Sequence, residues 1–280
     1  MPDFTVPGWV KNALFSYDSL EQIDPRIISE IKENLAARTS GLPEVSVVIP
    51  AWNEEKLLAR TLYLLSKQKT RYTFELLVVN NNSSDKTAEL AGLCGARVVT
   101  ELQQGISYAR QCGLMHAGGK YILNADADTL YPEEWIEYLV NGLNRKGVSC
   151  VQSLYSLIPA EGNSRIALAF YEMLSGILFR LRRRRRGYLN VMGFNFGFRK
   201  EDGLAAGGFN TTRKLWSDGW MAMQLLEKGR IEVVTSRKAR VWTSSRRLLA
   251  DGSMGKAFMR RMKKETVRLK EYIFPVPVKK

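Results

Sequence analysis

The first half of the chain alternates short apolar runs with longer stretches in which apolar residues recur every three or four positions. Runs of β-branched and other apolar residues at 45–49, 74–79, 96–99, 121–125 and 148–151 predict buried strands. Stretches at 56–67, 86–93, 105–116 and 132–143 have the spacing of helices between them. This alternation predicts βαβ units, and therefore an α/β fold with a mixed, mainly parallel sheet flanked by helices.

Polar side chains follow three of the predicted strands. The segments 50–54, 80–84 and 126–128 each begin where an apolar run ends. Because ligands of open α/β sheets bind outside the carboxyl ends of the strands, these segments predict one shared site. The chain has no Gly-x-Gly-x-x-Gly after its first strand, which argues against a dinucleotide dehydrogenase, and no P-loop motif.

The acidic pair Asp126 and Asp128 is the centre of this predicted site. In an extended segment, side chains two positions apart point to the same side. Two carboxylates so placed repel each other and need a cation beside them. Mg²⁺ and Mn²⁺ prefer oxygen ligands and often bridge to substrate phosphates. We therefore predict a metal–diphosphate site, the alternative being an acidic strand end followed by a helix cap at Thr129.

The composition limits the number of domains, the kinds of catalytic or metal site, and the cellular compartment that the chain suits. The 280 residues, 45% of them hydrophobic, suit one large domain or one domain with appendages. A single histidine, His116, argues against a zinc site or a catalytic triad built on histidine. Three scattered cysteines, the lack of an N-terminal signal pattern and the lack of a long apolar stretch predict a cytoplasmic protein with reduced thiols in or near the core.

The charge of the chain predicts an anionic partner. Lysine and arginine number 42 against 28 acidic residues, a net charge of +14, which favours nucleic acid, acidic lipid or phosphorylated substrates. The basic residues concentrate in the second half, with six arginines within 180–186 and nine lysines and arginines within 256–280. A nucleic-acid-binding protein is the alternative from another class, but aromatic residues do not interleave with the basic ones as base-stacking requires.

Residues 164–186 form a broad apolar surface that ends in the arginine run. The stretch is too short, and too interrupted by Glu172, to span a bilayer. It could lie in the interface of an anionic membrane, with a C-terminal helix at 256–270 adding to the contact. The alternative is a core or dimer helix followed by a solvated basic loop, and the oligomeric state stays open.

Several motifs together resemble the family 2 inverting glycosyltransferases, which have the GT-A (Rossmann-like) fold. The resemblance extends from about residue 45 to about residue 247. It rests on the strand–Pro50-Ala51-Trp-Asn53-Glu54 entry, the Asn80-Asn81 turn, the Gly105–x–x–x–Ala–Arg110–x–x–Gly helix, Asp126-Ala127-Asp128, Gly193-Phe-Asn195, Gly207-Gly208-Phe-Asn210 and Ser217-Asp218-Gly-Trp220. Weak motifs in the family's order are jointly specific.

The resemblance implies transfer of a sugar, with inversion, from a nucleotide-diphosphate donor to an acceptor hydroxyl. A UDP-sugar is the expected donor, and a glycan or lipid-linked sugar the expected acceptor. By resemblance, Asp128 and Asp126 hold Mn²⁺ or Mg²⁺, and Asp218 is the catalytic base. The expected donor-binding residues are Pro50, Ala51, Asn53, Glu54, Asn81, Arg110, Asp126, Ala127, Arg246 and Arg247.

Each of these assignments has a simpler structural alternative. Asp218 could only cap a helix, and Asn53 with Glu54 could only begin one. Asn81 could be a turn residue. Arg110 could form a helix-face salt bridge, and Arg246 with Arg247 could belong to a solvated loop.

The chain also departs from the family pattern. Asn80-Asn81 stands where the family has carboxylates that read the nucleobase, so base preference is less defined. Ser217 replaces an acid, and no Gln-x-x-Arg-Trp is present, which predicts single additions rather than a processive synthase. A nucleotidyltransferase on a similar fold is the nearer alternative. We divide the chain into an N-terminal helical arm (1–42), a nucleotide-sugar-binding half (43–155), an acceptor-side catalytic half (156–250) and a basic C-terminal helix (251–280).

Overall fold

The computed structural model describes residues 2–38, 41–160, 163–212 and 216–246, together with Met259. Within these residues the strands are β1 (Val45–Ala51), β2 (Phe74–Asn80), β3 (Arg97–Thr100), β4 (Tyr121–Ala125), β5 (Thr129–Leu130), β6 (Val148–Ser153), β7 (Tyr155–Ile158), β8 (Asn195–Arg199), β9 (Arg230–Val234) and β10 (Val241–Ser244). The helices are α1 (Gly8–Ala13), α2 (Pro25–Ala36), α3 (Glu55–Ser66), α4 (Thr87–Leu93), α5 (Ile106–His116), α6 (Trp135–Leu143), α7 (Arg165–Arg186), α8 (Lys200–Ala205) and α9 (Ser217–Leu225).

The larger sheet has the strand order β3-β2-β1-β4-β8-β6-β9. Strands β1, β2, β3 and β4 are parallel, β8 runs antiparallel to both of its neighbours, and β9 is parallel to β6. Helices cover both faces, as the two large clusters of buried apolar side chains show. The predicted fold class, a mixed and mainly parallel sheet between helices, is confirmed.

Strand β1 lies between β2 and β4 and is buried along its whole length. Proline has no N–H to donate to a neighbouring strand. Pro50 is tolerated because the pairing of β1 with β4 ends at Val48, so no N–H is needed at position 50 on that side. On one face, α5 approaches closely at Gly113, where a Cβ atom would lie 2.3 Å from Cγ1 of Val48. This glycine therefore fixes how near α5 comes to the sheet.

A smaller sheet, of order β5-β10-β7, connects the two halves of the chain. Strand β10 pairs antiparallel with β5 and parallel with β7. The hydroxyls of Thr129 and Thr243 are 2.9 Å apart across the β5–β10 pair. The N-terminal segment packs against this sheet through α1, beside Leu130 and Trp242. The residues that follow β10 therefore lie beside the carboxyl edge of the larger sheet.

Helix α7 includes the entire arginine run. The run is helical up to Arg186, so the loop conformation considered for it is wrong. In the described ranges, no helix combines the length and apolarity that crossing a bilayer requires. The predicted basic helix at 251–280 falls outside the described residues except for Met259, and the division into four segments stays a prediction.

The three cysteines, Cys94, Cys112 and Cys150, are buried and free, as predicted. Burial raises the pKa of the Cys94 and Cys150 thiols to about 12. These thiols are structural, and none belongs to the polar edge described below.

Candidate active site

The three polar segments predicted to share one edge of the sheet do meet. The N–H of Asn53 donates to Oγ of Ser83 over 3.1 Å, and Oδ1 of Asn53 accepts from the N–H of Ser84 over 2.8 Å. Asn53 has a φ of +52°, a left-handed conformation that asparagine tolerates. The ends of β1 and β2 are thus tied into one surface beside the 126–128 turn.

Glu54 occupies the N-cap position of α3 but does not cap the helix with its side chain. The exposed N–H groups at this helix start are satisfied from the β2 side instead. Thr87 Oγ1 accepts from the N–H of Glu54 over 2.9 Å, and Oδ2 of Asp85 accepts from the N–H of Glu55 over 3.1 Å. Glu54 is therefore the N-cap residue of α3 rather than an acid of its first turn, and its carboxylate pairs with Arg246 instead of capping the helix.

Asp126 and Asp128 lie in a turn rather than in an extended segment. Strand β4 ends at Ala125, and the N–H of Thr129 donates to the carbonyl of Asp126 over 3.3 Å. The expectation that both carboxylates point to one side of a strand is therefore wrong in its geometry. The turn sends the two carboxylates to different arginines, one from each half of the chain.

Arg246 is the partner of Asp128. Its Nη2 lies 3.0 Å from Oδ2 of Asp128 and 2.5 Å from Oε1 of Glu54. Burial lowers the pKa of Arg246, but the hydrogen bond that it donates to Glu54 and the charges of Asp128 and Glu54 outweigh burial, so the pKa is raised. Arg246 is thus held by two carboxylates, although its side chain stays 42% exposed. Arg247 lies outside the described residues.

Arg110 is the partner of Asp126. Its Nη2 is 3.7 Å from Oδ1 of Asp126, while its Nη1 donates to Oγ of Ser217 over 2.9 Å. Arg110 does form a salt bridge, as the simpler alternative had it, but its side chain is only 6% exposed and points into the site rather than to solvent. Gly193 makes room for it, because a Cβ atom there would lie 1.6 Å from Nη2 of Arg110. Arg110 thus joins the acidic turn to the start of α9.

Asp218 lies in the first turn of α9, beside the buried Ser217. Its Oδ1 accepts from the N–H of Gly219 over 2.9 Å, and the side chain is half-buried. Trp216, immediately before the helix, has a φ of +70°, is 37% exposed and packs its ring 5.9 Å from that of Tyr188. The start of α9 therefore places a carboxylate and an exposed indole together, joined to Asp126 through Arg110.

The side chain of Asn81 holds a neighbouring loop. Its Oδ1 accepts from the N–H of Gly105 over 2.7 Å, and its Nδ2 donates to the carbonyls of Glu101 and Gln103. Asn81 is therefore more than a turn residue, because it positions the loop that begins α5. Its predicted contact with a nucleoside stays a prediction.

Two residues of this site were missed by sequence reasoning. The hydroxyl of Tyr131 accepts from the N–H of Asp126 and donates to the carbonyl of Phe194, each over 2.9 Å. Thr61, on α3, donates to the carbonyl of Ala127 over 2.8 Å. Both fix the acidic turn, and no motif marks either one. Burial, and secondarily the charge of Asp126, raises the pKa of Tyr131 well above its usual value, so the hydroxyl stays protonated.

The oxygen donors of the acidic residues determine which ion this edge could hold. Among the described residues, no group of three or more His, Cys, Asp or Glu side chains is arranged to hold an ion. However, carboxylate oxygens of Glu54 and Asp128 already converge on one positive group, Nη2 of Arg246. Two such oxygens suit Mg²⁺ or Mn²⁺ if phosphate oxygens and water complete the coordination shell. The residues fit a metal that arrives with an anionic ligand.

The chain is similar in sequence to known proteins over part of its length. The human dolichyl-phosphate beta-glucosyltransferase is 35% identical over 122 residues, which cover 38% of this chain and 37% of that protein. The chain therefore spans well under half the length of that relative.

Among solved structures, S. aureus TarS 1-349 in complex with UDP-GlcNAc matches with a TM-score of 0.57 and 19% identity, over 72% of this chain and 58% of TarS. The mannosyltransferase PcManGT of Pyrobaculum calidifontis, in complex with GDP-Man and Mn²⁺, matches with a TM-score of 0.54 and 18% identity, over 85% and 76%. At these identities the likeness concerns the fold, which is GT-A.

The sequence profile described as glycosyl transferase family 2 matches residues 46–202, more than half of the chain. The matched range contains the ends of β1, β2 and β4, and therefore Glu54, Arg110, Asp126 and Asp128. The resemblance inferred from the motifs is confirmed, and the chain belongs to glycosyl transferase family 2.

Proposed function

We propose that this protein transfers a sugar from a nucleoside-diphosphate donor, a UDP-sugar, to an acceptor hydroxyl with inversion. The observation that carries the proposal is the cluster of Glu54, Asp128 and Arg246 at the carboxyl edge of the sheet. Carboxylates and a guanidinium so arranged provide both a metal seat and a phosphate ligand. The solved structures that share the fold include complexes with UDP-GlcNAc and with GDP-Man and Mn²⁺.

The leaving diphosphate needs its growing negative charge neutralised. A bound Mn²⁺ or Mg²⁺ supplies a Lewis acid for that charge, and Asp128 with Glu54 would hold it. Asp126, the second predicted ligand, is paired with Arg110. The guanidinium of Arg246 pairs with the carboxylates of Glu54 and Asp128. If a metal ion replaced it between them, the guanidinium would be free to form bidentate bonds with diphosphate oxygens. Arg110 keeps Asp126 oriented from the buried side.

Asp218 is the proposed catalytic base. It takes the proton from the acceptor hydroxyl as that oxygen attacks the anomeric carbon, and the bond from this carbon to the diphosphate oxygen breaks on the opposite face. The hydrogen bond from the N–H of Gly219 orients the carboxylate. Trp216 offers an exposed ring beside it for the sugar or the acceptor.

The nucleoside is assigned to the ends of β1 and β2. Pro50, Ala51 and Asn53 line this edge, and Asn81 holds the loop at 101–105 against it. With asparagines at 80 and 81, base reading depends on neutral hydrogen bonds rather than on a carboxylate. Uracil is the proposed base, and a comparison of UDP-sugars with GDP-sugars as donors distinguishes it from guanine.

The proposed acceptor is a lipid-linked molecule or glycan that receives a single sugar per encounter. Support comes from the human relative, named for dolichyl phosphate, and from the lack of a Gln-x-x-Arg-Trp motif. We further propose a cytoplasmic protein that associates peripherally with an anionic membrane.

The test is a donor comparison with Mn²⁺ or Mg²⁺ present, in which UDP-sugars and GDP-sugars are offered and the released product is identified. Release of UDP, abolished in Asp218→Asn while UDP binding persists, is the expected result. Release of pyrophosphate from a sugar phosphate and a nucleoside triphosphate would instead identify a nucleotidyltransferase. Near-normal turnover of Asp218→Asn would place the base elsewhere.

A further inference from the structure

Helix α7 carries a continuous stripe of exposed apolar side chains. We call these the α7 stripe: Ile166, Phe170, Met173, Leu174, Ile177 and Leu181, each 41–68% exposed. Their spacing of three and four residues aligns them along one face of the helix. Over 22 residues the helix is about 33 Å long. So long an apolar face, left open to solvent, marks a binding surface rather than scattered surface hydrophobics.

The opposite face of α7 is fixed to the smaller sheet. Oε1 of Glu172 accepts from the N–H of Leu157 over 2.7 Å and lies 2.8 Å from Nη1 of Arg165. Both side chains of this ion pair are more than 90% buried, and the guanidinium of Arg165 lies 5.0 Å from the ring centre of Trp242. Glu172 therefore does not interrupt the stripe, and the face that points outward is set by this packing.

Charge identifies what the stripe faces. Arg180 and Arg183, at the end of the stripe, are exposed. Phe4 is 47% exposed and touches Phe170 with its ring, at 6.0 Å between centroids, which widens the apolar surface at the other end. An apolar face flanked by arginines is the pattern of a helix that lies in a membrane interface. A second copy would bring another net charge of +14, whereas anionic lipid cancels it.

We propose that the α7 stripe docks on an anionic bilayer, with its apolar side chains among the acyl chains near the headgroups and Arg180 and Arg183 on lipid phosphates. The helix then lies parallel to the membrane, without crossing it. The occupant is a lipid surface, and the docking itself does not depend on which donor the enzyme uses.

Chain segments before and after α7 contact residues next to the candidate active site. The loop before the helix touches the chain next to Arg246, because the N–H of Ala160 donates to Oγ of Ser245 over 3.2 Å. The turn after the helix carries Tyr188, whose ring packs on Trp216 beside Asp218. Docking along α7 thus brings the bilayer alongside the start of α9, where a membrane-borne acceptor would enter; this last step rests on the proposed function.

The experiment is flotation of the full chain with vesicles of phosphatidylcholine alone and with one-third phosphatidylglycerol, without sugar donor. We expect binding to the anionic vesicles only, weakened by salt. Ile177→Asp/Leu181→Asp should abolish it, and Arg180→Gln/Arg183→Gln should weaken it at least about tenfold. Leu42→Asp and Lys32→Gln/Lys120→Gln, at exposed positions outside α7, are matched controls and should float like the wild type.

The thermal midpoint and UDP binding of each variant show that it is folded and separate this test from that of the donor chemistry. No flotation with anionic vesicles, or equal flotation of the stripe and control variants, would overturn the proposal. A wild-type dimer in solution that Ile177→Asp/Leu181→Asp dissociates, without vesicle binding, would instead assign the stripe to a second copy. If the wild type floats with anionic vesicles but does not bind UDP, the proposed function is refuted and the docking proposal stands.

Discussion

The guanidinium of Arg246 and the carboxylate of Asp128 are 3.0 Å apart, although they belong to different halves of the chain. The contact follows from the pairing of β10 with β5, in which Thr243 lies opposite Thr129. Asp128 immediately precedes one strand of this pair, and Arg246 follows the other by two residues. The smaller sheet therefore determines which cation meets the acidic turn.

Arg246→Ala should raise the affinity for Mn²⁺ in the absence of nucleotide by about tenfold. The wild-type guanidinium competes for the same oxygens of Glu54 and Asp128, through charge-assisted bonds of about 1.5–3 kcal/mol. Calorimetric titration with Mn²⁺ measures the effect. Arg145→Ala removes an ion pair with Glu232 away from this edge and should leave Mn²⁺ affinity unchanged. Weaker Mn²⁺ binding in Arg246→Ala would contradict the competition.

Gly193→Ala should displace the guanidinium of Arg110. The new Cβ would overlap Nη2 of Arg110, so the contacts of that residue with Asp126 and Ser217 cannot both persist. We expect a loss of about 1–3 kcal/mol in stability and a weakened donor affinity. Gly92→Ala, in α4 with nothing within 4 Å of the new Cβ, is the matched control and should be neutral or stabilising. Equal behaviour of the two variants would refute the role of Gly193.

Tyr131→Phe should leave the N–H of Asp126 and the carbonyl of Phe194 without their shared partner. The expected cost is about 1–3 kcal/mol of unfolding free energy, with weaker metal-dependent binding of UDP because the acidic turn loosens. Tyr72→Phe also removes a part-buried hydroxyl that bonds to Asn141, but away from the site. It should lower stability and leave UDP affinity unchanged, a difference that denaturant unfolding and calorimetry together measure.

Stability should fall as the pH rises from about 9 towards 12. Burial holds the Cys94 and Cys150 thiols protonated in the folded state, with a pKa of about 12 against an ordinary value of 9.0. The unfolded chain loses these protons first, so it binds fewer protons in this range and is favoured as pH increases. Urea unfolding at a series of pH values measures the slope. A Cys94→Ala/Cys150→Ala variant should show a smaller slope, and an unchanged slope would show that the thiols do not contribute.

The sequence was sufficient to predict the central strands because β1, β2, β4 and β6 are continuous apolar runs separated by helices. It was not sufficient for β5, β7 and β10, which are two to four residues long and depend on pairing between distant segments. The arginine run was placed in a loop as one alternative, yet it continues α7 as a helix.

The site was predicted as a set of residues more accurately than as a geometry. The ends of β1, β2 and β4 meet as expected, because parallel strands share an edge. The partners of the carboxylates depend on tertiary contacts that no local pattern records, such as Arg246 with Glu54 or Arg110 with Ser217. The expectation for Asp126 and Asp128 failed because β4 ends one residue before the pair and the chain turns there.

The most direct test is calorimetric binding of UDP, with and without Mn²⁺, to the wild type, Asp128→Asn and Asp218→Asn. We predict metal-dependent UDP binding in the wild type and in Asp218→Asn, and a loss of at least about a hundredfold in Asp128→Asn, because the neutral amide cannot hold the ion. Metal-dependent UDP binding of wild-type affinity in Asp128→Asn would contradict a cation at the acidic turn.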